Sequence, residues 1–184
     1  MAGVFNGAVL TQKGLALLAK AQGGECAIVF TKAATGNGSY AEGEDASTRT
    51  SLKSQKQEFD LETVTIQNNT NVFVKFIITN YKSSSEYLTE GYYVKEIGLF
   101  ATDPDEGEIL YAIAIAVTDQ WDYLPSYNDL LPSTITVDML IEVTNASEVT
   151  IEAPNHMYLY DESTGDKYIL GIVNGLMYYE EVEE

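Results

Sequence analysis

Glu96 sits in the middle of an apolar and aromatic run, Gly91-Tyr92-Tyr93-Val94-Lys95-Glu96-Ile97-Gly98-Leu99-Phe100. Read as one strand with alternating faces, the run puts Tyr92, Val94, Glu96, Gly98 and Phe100 on one side. Tyr93, Lys95, Ile97, Leu99 and Ala101 fall on the other. A carboxylate on such a face is costly to bury without partners. Any fold that accepts this strand must therefore bring hydrogen-bond donors to Glu96. Gly98, inside the same strand, predicts a bulge or the close approach of another segment.

The rest of the chain is patterned mainly for strands. One helix is predicted, from Leu10-Thr11 to about Gln22, with Thr11 as its N-cap and Leu10 and Leu15 as a hydrophobic staple. Leu15, Leu18 and Ala19 give it an apolar face, and Gly23 is placed for a left-handed cap. Strands are then expected at Ala27–Lys32, Phe59–Ile66, Val72–Thr79, Gly91–Ala101, Ile109–Val117, Thr134–Val143 and Val149–Glu152. Val72–Thr79 is partly apolar on both faces and is expected at the centre of a sheet. Two long loops interrupt the strands. Residues 35–57 form the first, with a helical turn near Arg49 to Gln55. The second is Asp119–Pro132, which holds Trp121, Tyr123 and Tyr127. Short turns between consecutive strands favour antiparallel pairing. The expected class is α+β, mainly β: an antiparallel sheet or two-sheet core with one N-terminal helix.

Pro154-Asn155 breaks the pattern, so two domains are expected, 1–153 and 154–184. The second reads as a three-stranded β-meander closed by the Asn174-Gly175 hairpin signal. Tyr158, Tyr160, Tyr168, Tyr178 and Tyr179 suit it to an interface.

Composition narrows the function. The chain has 184 residues, 45% of them hydrophobic, enough for one medium domain with a self-supporting core. Its formal net charge of −18 repels phosphate backbones and anionic membrane surfaces. No apolar stretch approaches the ~20 residues of a membrane span. No charged segment followed by an apolar run opens the sequence, so folding in a cytoplasm is expected.

Catalytic parts are scarce. His156 lies in the expected linker, and Cys26, beside Ala27, Ile28 and Val29, reads as a small buried hydrophobe. Gly36-Asn37-Gly38 lacks the Lys and Ser/Thr of a phosphate loop. Asp103, Asp105 and Glu108 do not have the spacing of a helix–loop–helix calcium site. No catalytic residue, cofactor or metal is expected, and Glu96 reads as a structural brace accepting backbone or Lys hydrogen bonds.

The Gly91–Phe100 segment resembles the signature of the N-terminal domain of phage tail-collar fibre proteins: a Gly, two aromatics, an aliphatic, a basic residue, then Glu-Ile-Gly-Leu-Phe. Asn6-Gly7, Leu10-Thr11-x-x-Gly14-x-x-Leu17-Leu18-Ala19-Lys20, Phe30-Thr31, Gly36-x-Gly38 and Gly107-Glu108-Ile109-Leu110-Tyr111 line up with it in order. The likeness covers about residues 1–153, and 154–184 fall outside it. It implies a structural virion role, with the chain attached to the baseplate of a phage or phage-like tail, usually as a homotrimer, and assembled in the bacterial host cytoplasm. The expected partners are baseplate wedge proteins and a separate tail fibre, with no nucleic acid and no membrane insertion.

A short fibre base or adaptor is therefore expected. Its signature residues are Gly91, Tyr92, Tyr93, Lys95, Glu96, Gly98 and Phe100. Its interface candidates are Trp121, Tyr123, Tyr127, Tyr168, Tyr178 and Tyr179, with the 35–57 and 119–132 loops as the attachment surface. Two other classes stay open. A carbohydrate-binding receptor module would use Trp121, Tyr123 and Tyr127 as stacking platforms. A cell-wall hydrolase would lose turnover on replacement of Glu96 or of Asp103 and Asp105.

Overall fold

The structure is a computed structural model and describes residues 4–67, 71–142, 151–152, 157–160, 167–173 and 176–181. In chain order the elements are β1 (Val9–Leu10), α1 (Gln12–Gln22), β2 (Ile28–Gly36), a 3-10 turn (Ala46–Thr48), β3 (Gln55–Phe59), β4 (Leu61–Gln67) and β5 (Asn71–Thr79). They continue with β6 (Tyr92–Val94), β7 (Glu96–Asp103), β8 (Gly107–Ile115), β9 (Asp122–Leu124), β10 (Thr134–Glu142) and β11 (Ile151–Glu152). The last three are β12 (Met157–Tyr160), β13 (Lys167–Val173) and β14 (Leu176–Glu181). The class is α+β and mainly β, as expected. The chain divides into two compact units, Met1–Ala153 and Pro154–Glu184.

Within the first unit the described strands form a large sheet of order β1-β8-β7-β2-β11, with β3 also on β2. A smaller sheet, β10-β5-β4, has β5 at its centre, and β6 pairs with β9 in a separate ribbon. Pairing is antiparallel except between β11 and β2, which run parallel. The main core lies between one face of the large sheet, the smaller sheet and α1. Phe30, Leu99 and Tyr111 meet Val74, Phe76, Ile141 and Leu17 there. The opposite face of the large sheet buries Phe100, Leu110 and Ile113 under Ala46 and Leu52. Part of the 35–57 loop is thus a cover for the sheet. Its helical turn falls at 46–48 rather than 49–55, and residues 55–57 belong to β3.

The helix begins at its predicted cap. The Thr11 hydroxyl accepts from the Gly14 amide at 2.9 Å and donates to the Leu110 carbonyl. The buried face is Gly14, Leu17, Leu18 and Ala21, not Leu15, Leu18 and Ala19. Leu15 is half-exposed because the residue in contact with β8 at that turn is Gly14, whose missing side chain lets the backbones approach. The left-handed position after the helix is Gly24, while Gly23 remains right-handed.

The helix end is tied to the β7–β8 turn. The Lys20 ammonium donates to both carboxylate oxygens of Asp103 and to Asp105, each at 2.8 Å. Lys32 and Thr31 engage Glu108. The three carboxylates considered for calcium are therefore held by ammonium groups and a hydroxyl. The Lys20 hydrogen bond, with the amides of Asp105 and Glu106, holds Asp103 below its ordinary value of 3.8. A carboxyl that titrates lower folded than unfolded contributes fully above its unfolded pKa and loses that contribution as pH falls through the folded value. The melting temperature of Asp103→Asn is expected to be lower than wild type at pH 7 and to fall less steeply below pH ~4. A parallel acid limb in the two proteins would contradict it.

In the second unit β12, β13 and β14 form an antiparallel meander, with Val173 opposite Leu176. Asn174-Gly175, His156 and the turn at Asp161 to Asp166 lie outside the described residues, as does Asn145-Ala146-Ser147. Among the described residues no helix is long and apolar enough to cross a membrane.

Candidate functional site

The signature is not one strand. It breaks at Lys95 into β6 and β7, and the faces change parity there. Tyr92 and Val94 join the same core as Ile97, Leu99 and Ala101, whereas Glu96 and Gly98 face the other way with Phe100. At the break the Lys95 amide donates to the Gly36 carbonyl and its own carbonyl accepts from Ala116, both at 2.9 Å. One residue thus bridges β2 and the end of β8 and turns the strand over.

Glu96 is fully buried, and its carboxylate is saturated. Oε1 accepts from the Gly38 amide at 3.0 Å and the Ser54 amide at 2.8 Å. Oε2 accepts from the Lys53 amide at 2.9 Å and the Tyr40 hydroxyl at 2.6 Å. Four donors from two ends of the 35–57 loop converge on one side chain. Charge-assisted bonds of this kind are the strong ones. Burial, then the neighbouring Glu96, pushes the Tyr40 phenol above its ordinary value, so it stays a donor. A Cβ at Gly36 or Gly38 would lie 2.5 Å from Glu96 Oε1, which explains both glycines of the turn. Behind the clamp the Tyr92 hydroxyl is 2.6 Å from Thr35 Oγ1 and donates to Gln57 at 3.1 Å. Burial holds its pKa up, to about 12.

Gly98 is a site of close approach. A Cβ there would meet Leu110 Cδ1 at 2.8 Å and Leu52 Cδ2 at 3.0 Å. The register shift in this strand falls one residue later, between Leu99 and Phe100. Gly91 serves the ribbon: a side chain there would run into the Tyr123 ring and the Leu124 carbonyl.

Outside the clamp lies an aromatic ridge. Tyr93 of β6 pairs in register with Tyr123 of β9, their rings 5.1 Å apart. Tyr93 also packs edge-on to Trp121 at 5.9 Å. Tyr93 is 48% exposed and Tyr123 54% exposed. The Lys95 ammonium sits 4.0 Å from the centre of the Trp121 ring and donates to Ser39. One face of Trp121 is therefore taken by a cation, and the ridge rings are inclined to one another. Neither feature suits a flat platform for a sugar ring. Residues 38–44, Lys95 and Trp121 line one cleft.

Tyr127 belongs elsewhere. It packs on Tyr81 at 4.5 Å and Tyr87 at 5.9 Å, beside a tip where Leu130 and Leu131 are 77% and 80% exposed. Tyr168 and Tyr179 pack edge to face at 5.9 Å in the second unit, and Tyr179 is exposed. The Tyr178 side chain lies outside the described residues. Sequence reasoning missed Tyr40, Lys53 and Ser54 as partners of Glu96, and Tyr81, Tyr87, Leu130 and Leu131 as surface features. The Gly36-x-Gly38 spacing was the one signal that a buried group would lie against this turn.

Cys26 is half-buried against the main core, and burial raises its thiol pKa, opposite to what a nucleophile needs. Among the described residues no cluster of three metal-ligating side chains occurs.

The family model for phage tail-collar fibre protein, N-terminal, matches residues 1–163. The match runs past 153, where the motif resemblance ended. No curated protein and no solved structure matches the chain.

Proposed function

The chain belongs to the phage tail-collar fibre protein N-terminal family, and from that premise we propose that it is a baseplate-attached fibre base or adaptor. The family is a structural one, and the chain is a structural component of a phage tail. Its finer role is our reading. It docks baseplate wedge proteins through the ridge of Tyr93, Trp121 and Tyr123, acts as a homotrimer, receives a separate tail fibre and carries out no catalysis.

The observation that carries this reading is the clamp beneath the ridge. A catalytic carboxylate needs an open pocket and a second acid or base. Glu96 is sealed from solvent, and all of its hydrogen bonds hold backbone and Tyr40 in place. Rigid aromatic side chains on a preorganised ribbon are what a protein interface uses, because they bury much area and lose little rotamer freedom.

Trp121→Ala tests it. Removing Trp121 takes away the ring under Lys95 and the edge partner of Tyr93 but no member of the main core. The variant is expected to fold, with melting temperature close to wild type, and to drop out of assembled particles by roughly tenfold or more, the loss typical of a central aromatic anchor. Normal incorporation of a folded Trp121→Ala chain, counted by quantitative mass spectrometry of purified particles, would overturn the proposal.

A further inference from the structure

We infer that the open edge of β10 is a docking slot for an extended, basic segment of a neighbouring protein, which adds a strand there. Among the described strands β10 is the outer one of the smaller sheet, paired with β5 over its whole length in one unbroken register. Asn80 donates to the Ser133 carbonyl, and Ser133 lies opposite Asn80 in that register. In an antiparallel pair bonded and non-bonded positions alternate. The ladder to β5 therefore uses Ile135, Val137, Met139 and Ile141. The amides and carbonyls of Thr134, Thr136, Asp138 and Leu140 point to the open side.

That side is a slot of about 370 Å³. Six consecutive residues of β10, Ile135 to Leu140, form one wall, as an edge and not a face would. Residues 5–8 form the other wall, held along β8 by the Asn6 amide on the Ile115 carbonyl and the Phe5–Ala116 bridge. Ile97 and Ala114 also line it. Two strand-like borders thus flank a partly apolar cavity. The volume falls in the ~300–1,000 Å³ range of binding pockets and takes a few side chains.

Charge selects the occupant. The two ionisable residues lining the slot are both acids, Asp122 and Asp138, and neither joins an ion pair among the described residues. Lys13, Lys20, Lys32, Lys53 and Lys82 are each bound to carboxylates elsewhere in the chain, and Lys95 covers Trp121. Lys75 stands opposite Asp138 in the register with β5, so it is Asp122 and the chain's net charge of −18 that favour a basic partner. Main-chain pairing gives such a strand its affinity, and alternate side chains give its specificity. A second copy is disfavoured: its own candidate strand β14 ends in Glu180-Glu181 and the chain carries −18.

The inference rests on reading the chain as an attachment module, but its test needs no particle. The probe is a capped ten-residue peptide of alternating Val and Lys, with a Val/Glu counterpart, added to the full chain. The Lys peptide is expected to slow hydrogen exchange at the amides of Thr134, Thr136, Asp138 and Leu140 by roughly tenfold, with salt weakening the effect. The Glu peptide is expected to leave them unchanged. Asp122→Lys with Asp138→Lys should invert the preference. Thr136→Pro removes a slot-facing amide without touching the β5 ladder, and should abolish protection in a chain that still melts normally. Equal protection by both peptides, protection by neither, or protection that grows with protein concentration and no peptide would each overturn the inference. The last would assign the edge to a second copy. Failure here leaves the particle result for Trp121→Ala untouched.

Discussion

Glu96→Gln is expected to lower the melting temperature by roughly 6–20 °C, a large effect for a near-isosteric change. Gln keeps the shape but offers one acceptor oxygen and an NH2 group that can only donate. Its oxygen can serve either the Gly38 and Ser54 amides or the Lys53 amide and Tyr40 hydroxyl. The Tyr40 hydroxyl can rotate to accept from the new NH2. A backbone amide cannot, so at least one buried N–H is left facing another donor. An unsatisfied buried donor costs about 1–3 kcal/mol, and the surviving bonds lose their charge assistance. Together these give about 3–5 kcal/mol, at roughly 2–4 °C per kcal/mol for a chain of this length. Thermal melting measures the shift. Limited proteolysis should find residues 37–54 cut before the rest of the first unit. A Gln variant that melts with wild type would show that the four bonds to Glu96 do not stabilise the first unit.

The second large effect has the sign opposite to helix propensity. Gly14→Ala puts the better helix former into α1, a change that ordinarily stabilises by up to about 1 kcal/mol. Here the new Cβ would overlap the Tyr111 carbonyl oxygen and lie 2.9 Å from its carbon and 3.2 Å from its Cα. These are backbone atoms of a buried strand and have no rotamer to escape into. The helix has to lift, which lengthens the 3.0 Å bond from the Thr11 amide to Tyr111 and loosens Leu17. Overpacking of this kind costs about 1–3 kcal/mol or more, and the docking contacts are lost on top. The net expectation is a loss of about 2–4 kcal/mol. Chemical denaturation would read it as a lower midpoint, and an unchanged or raised midpoint would show that the helix does not touch β8 through Gly14.

The legible features were those set by local chemistry. Thr11 caps α1, because a hydroxyl beside free amides does so in any context. Val72 to Ile78 reads as a central strand, since its alternation matches a pleat with neighbours on both sides. The Asp103–Gly107 turn and the β13–β14 pairing follow from their own residues. Leu15 misleads, because periodicity identifies a face by hydrophobicity, while the contact with β8 selects the residue that is absent in volume, Gly14. The 91–101 run misleads in the same way. Alternation assumes a straight strand, and the reversal at Lys95 is imposed by Gly36 and Ala116, which are remote in the chain.

From the chain's own order of residues came the demand: a glutamate in an apolar strand, a glycine, Gly98, marking a close approach in that strand, a helix start, and strands of period two. Which donors would meet that demand was decided by folding alone. Gly38, Tyr40, Lys53 and Ser54 stand 42 to 58 residues from Glu96, and nothing local distinguishes their amides from others. The same holds for the surface. Trp121, Tyr123 and Tyr127 lie in one loop, yet pairing of β9 with β6 sends Trp121 and Tyr123 to one ridge and leaves Tyr127 against Tyr81. Long-range strand register, not sequence neighbourhood, determines which side chains share a face.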